Sequence, residues 1–118
     1  MKVYEDIKPS VIIYYENPAI NHAELRLIKE GLEEEGVPVE TKIAKDNVES
    51  LAINAARESR LGIGIGLSSG GVCHLQHRRM LPGNPIMKIQ FGVQDKSYYR
   101  LLGCNAARLA KIMPLKWM

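Results

Sequence analysis

The apolar residues of this chain keep two periods in turn, one of about two residues and one near 3.6. Val11–Tyr15 reads VIIYY, a β-branched and aromatic run that predicts a strand. Asn17-Pro18 marks a turn. Ala23, Leu27, Ile28 and Leu32 then fall at helical spacing, and Asn21 with Glu24 has the form of a capping box. Gly36 and Pro38 stop that helix. Val37, Val39, Thr41 and Ile43 alternate as a second strand. Asp46 and Glu49 form a further capping box ahead of a helix carried by Val48, Leu51, Ala52 and Ala55.

Leu61, Ile63, Ile65 and Leu67 alternate with Gly62, Gly64 and Gly66. This predicts a third strand with one aliphatic face and one face of bare backbone. Ser68–Gly71 is a turn, and residues 72–78 read as a return strand that closes a hairpin. Leu81-Pro82-Gly83-Asn84 is a second turn, and Ile86–Phe91 a fifth strand. Asp95 caps a last helix with apolar positions Tyr98, Leu102, Ala106, Leu109 and Met113, ended by Pro114. The order is β-α-β-α-β-β-β-α. Two βαβ crossovers require parallel, right-handed pairing of the first three strands, and the hairpin turns the fourth antiparallel. The expected fold is a three-layer α/β/α domain with a mixed five-stranded sheet.

With 118 residues, 46% of them hydrophobic, the chain suits a single globular domain spanning residues 1–118. No apolar run approaches the ~20 residues of a membrane helix. The N-terminal MKVYEDIKPS lacks the apolar core of a signal peptide, which argues for the cytoplasm. Cys73 and Cys104 are too few for a disulfide framework or a four-thiolate zinc site. The net charge of +3 is mild, the densest basic run is HRR at 77–79, and only 6% of residues are aromatic. Nucleic-acid binders cluster more charge and supply stacking rings, so this run reads as a solvated edge or turn.

The stretch LGIGIGLSSGGV, residues 61–72, holds five glycines and raises the question of a phosphate loop. The dinucleotide pattern fails at Ser69, where glycine is required after Gly64 and Gly66. Gly66 and Gly71 have the separation of a phosphate loop, but Val72 and Cys73 stand in place of its lysine and hydroxyl. The strand-like VCHLQH that follows offers no helix N-terminus to an anion. Glycines inside a strand instead let a helix or another backbone come close. Gly66-Leu67-Ser68-Ser69-Gly70 spells G-x-S-x-G, but a nucleophile elbow needs a strand-to-helix turn. Cys73 and His77 share a strand face while His74 points the other way. Two ligands make no zinc site, and His22 is far off in sequence. Asn105 lies beside the apolar stripe of the last helix, as a packing anchor or at an interface.

GLEEEG at 31–36 breaks a local rule. Three glutamates occupy the last helical turn, where the dipole makes each acid unfavourable by ~0.3–1 kcal/mol. Lys29, four residues before Glu33, offsets little. The plain reading is three side chains facing water. The functional reading is that this end meets a cation, a metal or a basic partner surface. By helical spacing Glu33 is the most exposed, while Glu34 and Glu35 lie nearer the apolar stripe.

GLEEEGVPVE, AARESRLGIGIGLSSGG and LLGCNAARLAKIMPL together resemble the small subunit of the diol and glycerol dehydratase reactivases, in order and spacing, over roughly residues 9–115. That family is similar in fold to the longer medium subunit of the adenosylcobalamin-dependent dehydratases. The resemblance implies a chaperone-like role without catalysis by this chain. A large partner subunit would bind and hydrolyse ATP, in a complex of two large and two small chains. Departure of the small subunit would free a surface for a dehydratase subunit, and the exchange would release damaged cobalamin. It also implies that the middle glutamate of G-x-E-E-E-G, here Glu34, reaches a magnesium ion at the interface with the large subunit. Association with a bacterial microcompartment and the client's substrate, glycerol or 1,2-propanediol, stay open. Two other readings compete: a medium subunit of a cobalamin-dependent dehydratase, and an independent small enzyme using Ser68 or His77.

Overall fold

In the computed structural model, which describes residues 9–81, 83–90 and 95–112, each β-branched or alternating run forms a strand. The strands are β1 (Val11–Tyr15), β2 (Val39–Ile43), β3 (Ile63–Leu67), β4 (Cys73–His77) and β5 (Met87–Ile89). The helices are α1 (His22–Glu34), α2 (Val48–Glu58) and α3 (Ser97–Ala110). The sheet order is β2-β1-β3-β4-β5. β1 runs parallel to both β2 and β3, whereas β4 is antiparallel to β3 and to β5. The expected mixed sheet with an antiparallel fourth strand is therefore what the chain forms.

The two crossovers step in opposite directions across the sheet, so right-handed connections place their helices on opposite faces. Ile13, Ile65 and Leu75 lie side by side across three strands. They are fully buried in one core with Ile28, Leu32 and Leu102 of α1 and α3. The opposite face carries Gly64 and Gly66, and α2 lies against it. A Cβ on Gly64 would overlap the backbone of Ala55 and Ala56. A Cβ on Gly66 would stand 2.6 Å from the Ala52 nitrogen. The glycines are the price of a helix resting directly on the strand backbone.

A second close approach joins α1 to α3. A Cβ on Gly31 would meet the Arg100 carbonyl and, at 2.7 Å, the Cys104 nitrogen; one on Gly103 would meet the Ile28 carbonyl. The two helices thus cross with glycine on each side of the contact.

Several details depart from the sequence reading. Ala23 is exposed, and Glu24 takes the buried position on α1 because Lys96 Nζ, 3.1 Å away, answers its carboxylate. Asn21 makes no capping bond. Instead its fully buried side chain accepts from the Asn17 N–H and donates to the Ser68 carbonyl at 2.8 Å, tying two loops together. The cap of α2 is Asn47, which accepts from the Ser50 N–H. Asp46 spends its carboxylate on the Asn47 N–H. Asp95 accepts from both the N–H and the hydroxyl of Ser97. Tyr99 rather than Tyr98 enters the core, because its hydroxyl finds the Gly71 carbonyl at 2.6 Å. The second strand begins at Val39, and Ile43 is exposed because β2 is a sheet edge. Phe91, Met113 and Pro114 lie outside the described residues.

Candidate functional site

The acidic end of α1 is built on a glycine stop. Gly36 has φ +77°, its N–H donates to the Glu33 carbonyl, and the Val37 N–H donates to the Leu32 carbonyl. This pair of bonds is a Schellman motif, with Val37 buried near Leu32. It turns the chain sharply into β2 and leaves the three glutamates in three different settings.

Glu33 is exposed, on the rim of an open groove of about 380 Å³ along α1 that His22, Leu25, Arg26, Lys29 and Glu30 also line. Glu34 is half-exposed, and its Oε2 lies 2.5 Å from Arg100 Nη2. Glu35 is nearly covered, held by Arg108 at 3.2 Å and Lys111 at 3.2 Å. Lys111 also donates to the Glu35 carbonyl at 2.7 Å. α1 has no basic residue in its own last turn, so α3 and the residue that follows it supply the cations that the dipole asks for. The close crossing at Gly31 and Gly103 brings α3 near enough to do so. The sequence reading asked for a cation here and offered a metal or a partner surface. The cations in place belong to the same chain, some seventy residues further on.

The remaining candidates are placed as follows. Ser68 lies in a strand-to-strand turn, with its N–H bonded to the Val72 carbonyl and its Oγ accepting from the Val72 N–H. Glu16 Oε1 accepts the Ser69 N–H at 2.8 Å, so a carboxylate of the chain itself sits at that turn. Cys73 is fully buried, and desolvation, reinforced by Glu24, pushes its thiol well above the ordinary range. Tyr99 beside it is pushed up to about 12 by desolvation, then by Cys73 and Glu24. His74 stands on the other face, where desolvation and Lys88 lower its pKa against the pull of Glu49. His77 accepts the Arg79 N–H on Nδ1. Among the described residues no three metal-ligating side chains converge. Asn105 is fully buried, with Nδ2 at 3.5 Å from Met87 Sδ, which makes it an interior packing residue.

Residues 8–116 match the family described as the dehydratase medium subunit. The chain belongs to this family. It is 35% identical over 86 residues to the probable glycerol dehydratase-reactivating factor small subunit of Citrobacter freundii, covering 71% of this chain and 73% of that one. A solved glycerol dehydratase reactivase chain superposes with a TM-score of 0.82 at 32% identity, over 92% of this chain and 97% of that chain. A diol dehydratase-reactivating factor complexed with ADP and Mg2+ matches with a TM-score of 0.77 at 29% identity and the same coverage. These likenesses place the chain with the reactivating-factor small subunits. In this medium-subunit fold, the groups that sequence reasoning missed are the cations of α3 and the two crossing glycines. A signal for the glycines existed, since Gly31 and Gly103 each cost a helix about 1 kcal/mol relative to alanine.

Proposed function

We propose that this chain is the non-catalytic small subunit of an ATP-dependent reactivating factor for an adenosylcobalamin-dependent diol or glycerol dehydratase. The large subunit binds and hydrolyses the nucleotide. Release of the small subunit frees a surface on the large one for a dehydratase subunit, and the exchange lets damaged cobalamin leave. Two large and two small chains form the complex, in the cytoplasm, and residues 1–118 act as one domain. The likeness to the C. freundii small subunit over 71% of the chain carries this reading.

Glu34 is the metal contact in this proposal. Mg2+ takes oxygen ligands and keeps several waters, so one or two carboxylates suffice to hold it. Glu34 suits that part: its carboxylate is half-exposed, and its recorded partner is Arg100 on an equally exposed side chain. An exposed pair of this kind is worth only ~0.2–1 kcal/mol, so Arg100 can yield to a metal or a partner. Glu35, held by Arg108 of α3 and by Lys111 just past its end, is committed to the fold. When bound, the ion supplies a hard positive charge shared between the two chains.

A pull-down with the tagged chain from cells grown on glycerol or 1,2-propanediol tests the reading. The expected result is one large ATPase chain, loosened by added ATP. Glu34→Ala then weakens large-subunit affinity by about tenfold or more, as chelator does to the native chain. Equal affinity of Glu34→Ala and native chains, with and without chelator, removes the metal role. The match to the medium-subunit family favours a second reading, a component of the dehydratase itself. Recovery of dehydratase subunits with cobalamin would decide for it.

A further inference from the structure

The sheet ends in two edges of unequal length. β5 offers three residues at one end of the strand order, and β2 offers five at the other. Among the described residues β2 pairs with β1 alone. Two bonds that flank β2 fix the direction of its backbone groups. The Val11 N–H donates to the Pro38 carbonyl and the Ala44 N–H to the Tyr15 carbonyl, each at 3.0 Å. Backbone groups alternate in direction along a strand, so those of Glu40 and Lys42 also face β1. Val39, Thr41 and Ile43 turn their N–H and C=O groups outward, to the open edge. Pro38, which has no N–H, stands at an inward position and takes no donor from that edge.

The side chains of β2, VETKI, are self-complementary about Thr41. A second copy laid antiparallel, with a two-fold axis at Thr41, sets Thr41 against Thr41, Glu40 against Lys42 and Val39 against Ile43. The outward groups of Thr41 then meet those of the other Thr41 as a hydrogen-bonded pair, and each Val39–Ile43 pair does the same. Every outward donor and acceptor of the strand is met. The Glu40–Lys42 pairs fall at the positions without backbone bonds, where opposed residues come closest, with Cα atoms about 4.5 Å apart. Both side chains are exposed and lie on the α2 face of the sheet, in line with Ile12 and Tyr14. Lys42 Nζ already meets Glu58 Oε1, but an ammonium has three donors, which leaves it others for a second copy. On the opposite face Ile43, 58% exposed, gains Val39 as a neighbour.

Charge also selects the register. Edge strands are commonly guarded by charge of one sign, which repels a second copy in any alignment. β2 carries both signs two residues apart. The neighbouring alignments that keep outward groups opposed set Glu40 against Glu40 or Lys42 against Lys42, and like charges directly opposite destabilise a pair. Only the alignment about Thr41 opposes unlike charges at both positions. The partner charge that this edge fits is therefore the one that the same edge carries, as a two-fold contact requires.

We propose that two copies of this chain pair through β2, antiparallel about Thr41, into one continuous sheet with five strands from each copy. The pairing needs no large subunit. Its test is sedimentation of the purified full chain from about 1 µM to about 1 mM, since a single strand pair is a small contact of modest affinity. The expected result is a reversible monomer–dimer equilibrium. Thr41→Pro removes an outward N–H that only the second copy uses and leaves the ladder to β1 whole. That variant is expected to be monomeric throughout, with a native Tm. Glu40→Lys and Lys42→Glu each set like charges opposite one another and weaken self-association about tenfold. An equimolar mixture of these two variants restores it, because every opposed pair is again unlike, and added salt shrinks both effects. A native chain that stays monomeric throughout overturns the proposal. A dimer that Thr41→Pro leaves intact places the contact elsewhere and overturns it as well. Where Thr41→Pro melts below the native chain, the charge variants decide: a mixture that associates no better than its components overturns the pairing.

Discussion

The two faces of β3 solve one packing problem in opposite ways. On one face Ile63, Ile65 and Leu67 project into a core that α1 and α3 close from above, and side chains fill the gap between layers. On the other face Gly64 and Gly66 leave no gap, and α2 rests on the strand backbone through Ala52, Ala55 and Ala56. The first face is tuned by volume and the second by its absence. A side chain can be trimmed and its neighbours relax in part, whereas a backbone met by a new Cβ has nowhere to go. The glycine face should therefore be the less forgiving of the two.

The sharpest way to break the comparison is Gly64→Val. Its branched side chain would be driven into the α2 backbone, and the expected outcome is loss of folding, read as absent cooperative melting in circular dichroism. Ile65→Ala, on the same strand but the opposite face, should fold with a loss of about 2–5 kcal/mol in urea titration. If Gly64→Val melts cooperatively and loses less than Ile65→Ala, the contrast between the faces is wrong. The smallest effect concerns His74, which faces the α2 side opposite Gly66. Its folded pKa lies below the ordinary 6.5 because desolvation and Lys88 disfavour the charged ring. The unfolded chain thus takes up the proton first. The stability this group contributes is complete above about pH 6.5 and is lost as pH falls through the folded value. His74→Gln should flatten the fall in Tm between pH 7 and pH 5, and an unchanged slope would assign that fall elsewhere.

Much of this architecture was legible because period and punctuation are local. The alternation of glycine with Ile63, Ile65 and Leu67 predicted both a strand and a close neighbour on its bare face. Gly36 marked the end of α1, and its positive φ supplies the reason. Other readings failed where a distant group outweighed a local preference. Glu24 displaced Ala23 from the buried face because Lys96 lies across from it. Tyr99 displaced Tyr98 because Gly71 offers a carbonyl. Asn21 left its cap for Ser68, 47 residues away. The three glutamates of α1 were visible as an anomaly, but their neighbours were not. Glu34 gained its proposed role from family resemblance, since one carboxylate at a helix end has no spacing to interpret.

By itself the amino-acid sequence determined the elements, their order and the family, because these depend on period, turn residues and ordered segments within a short reach of chain. Only the tertiary structure decided the charge. It carried Arg100, Arg108 and Lys111 across to Glu34 and Glu35, and it turned Glu58 toward Lys42 and Tyr14. Electrostatic interaction depends on distance in space and on exposure, and neither is written in the spacing of residues along the chain.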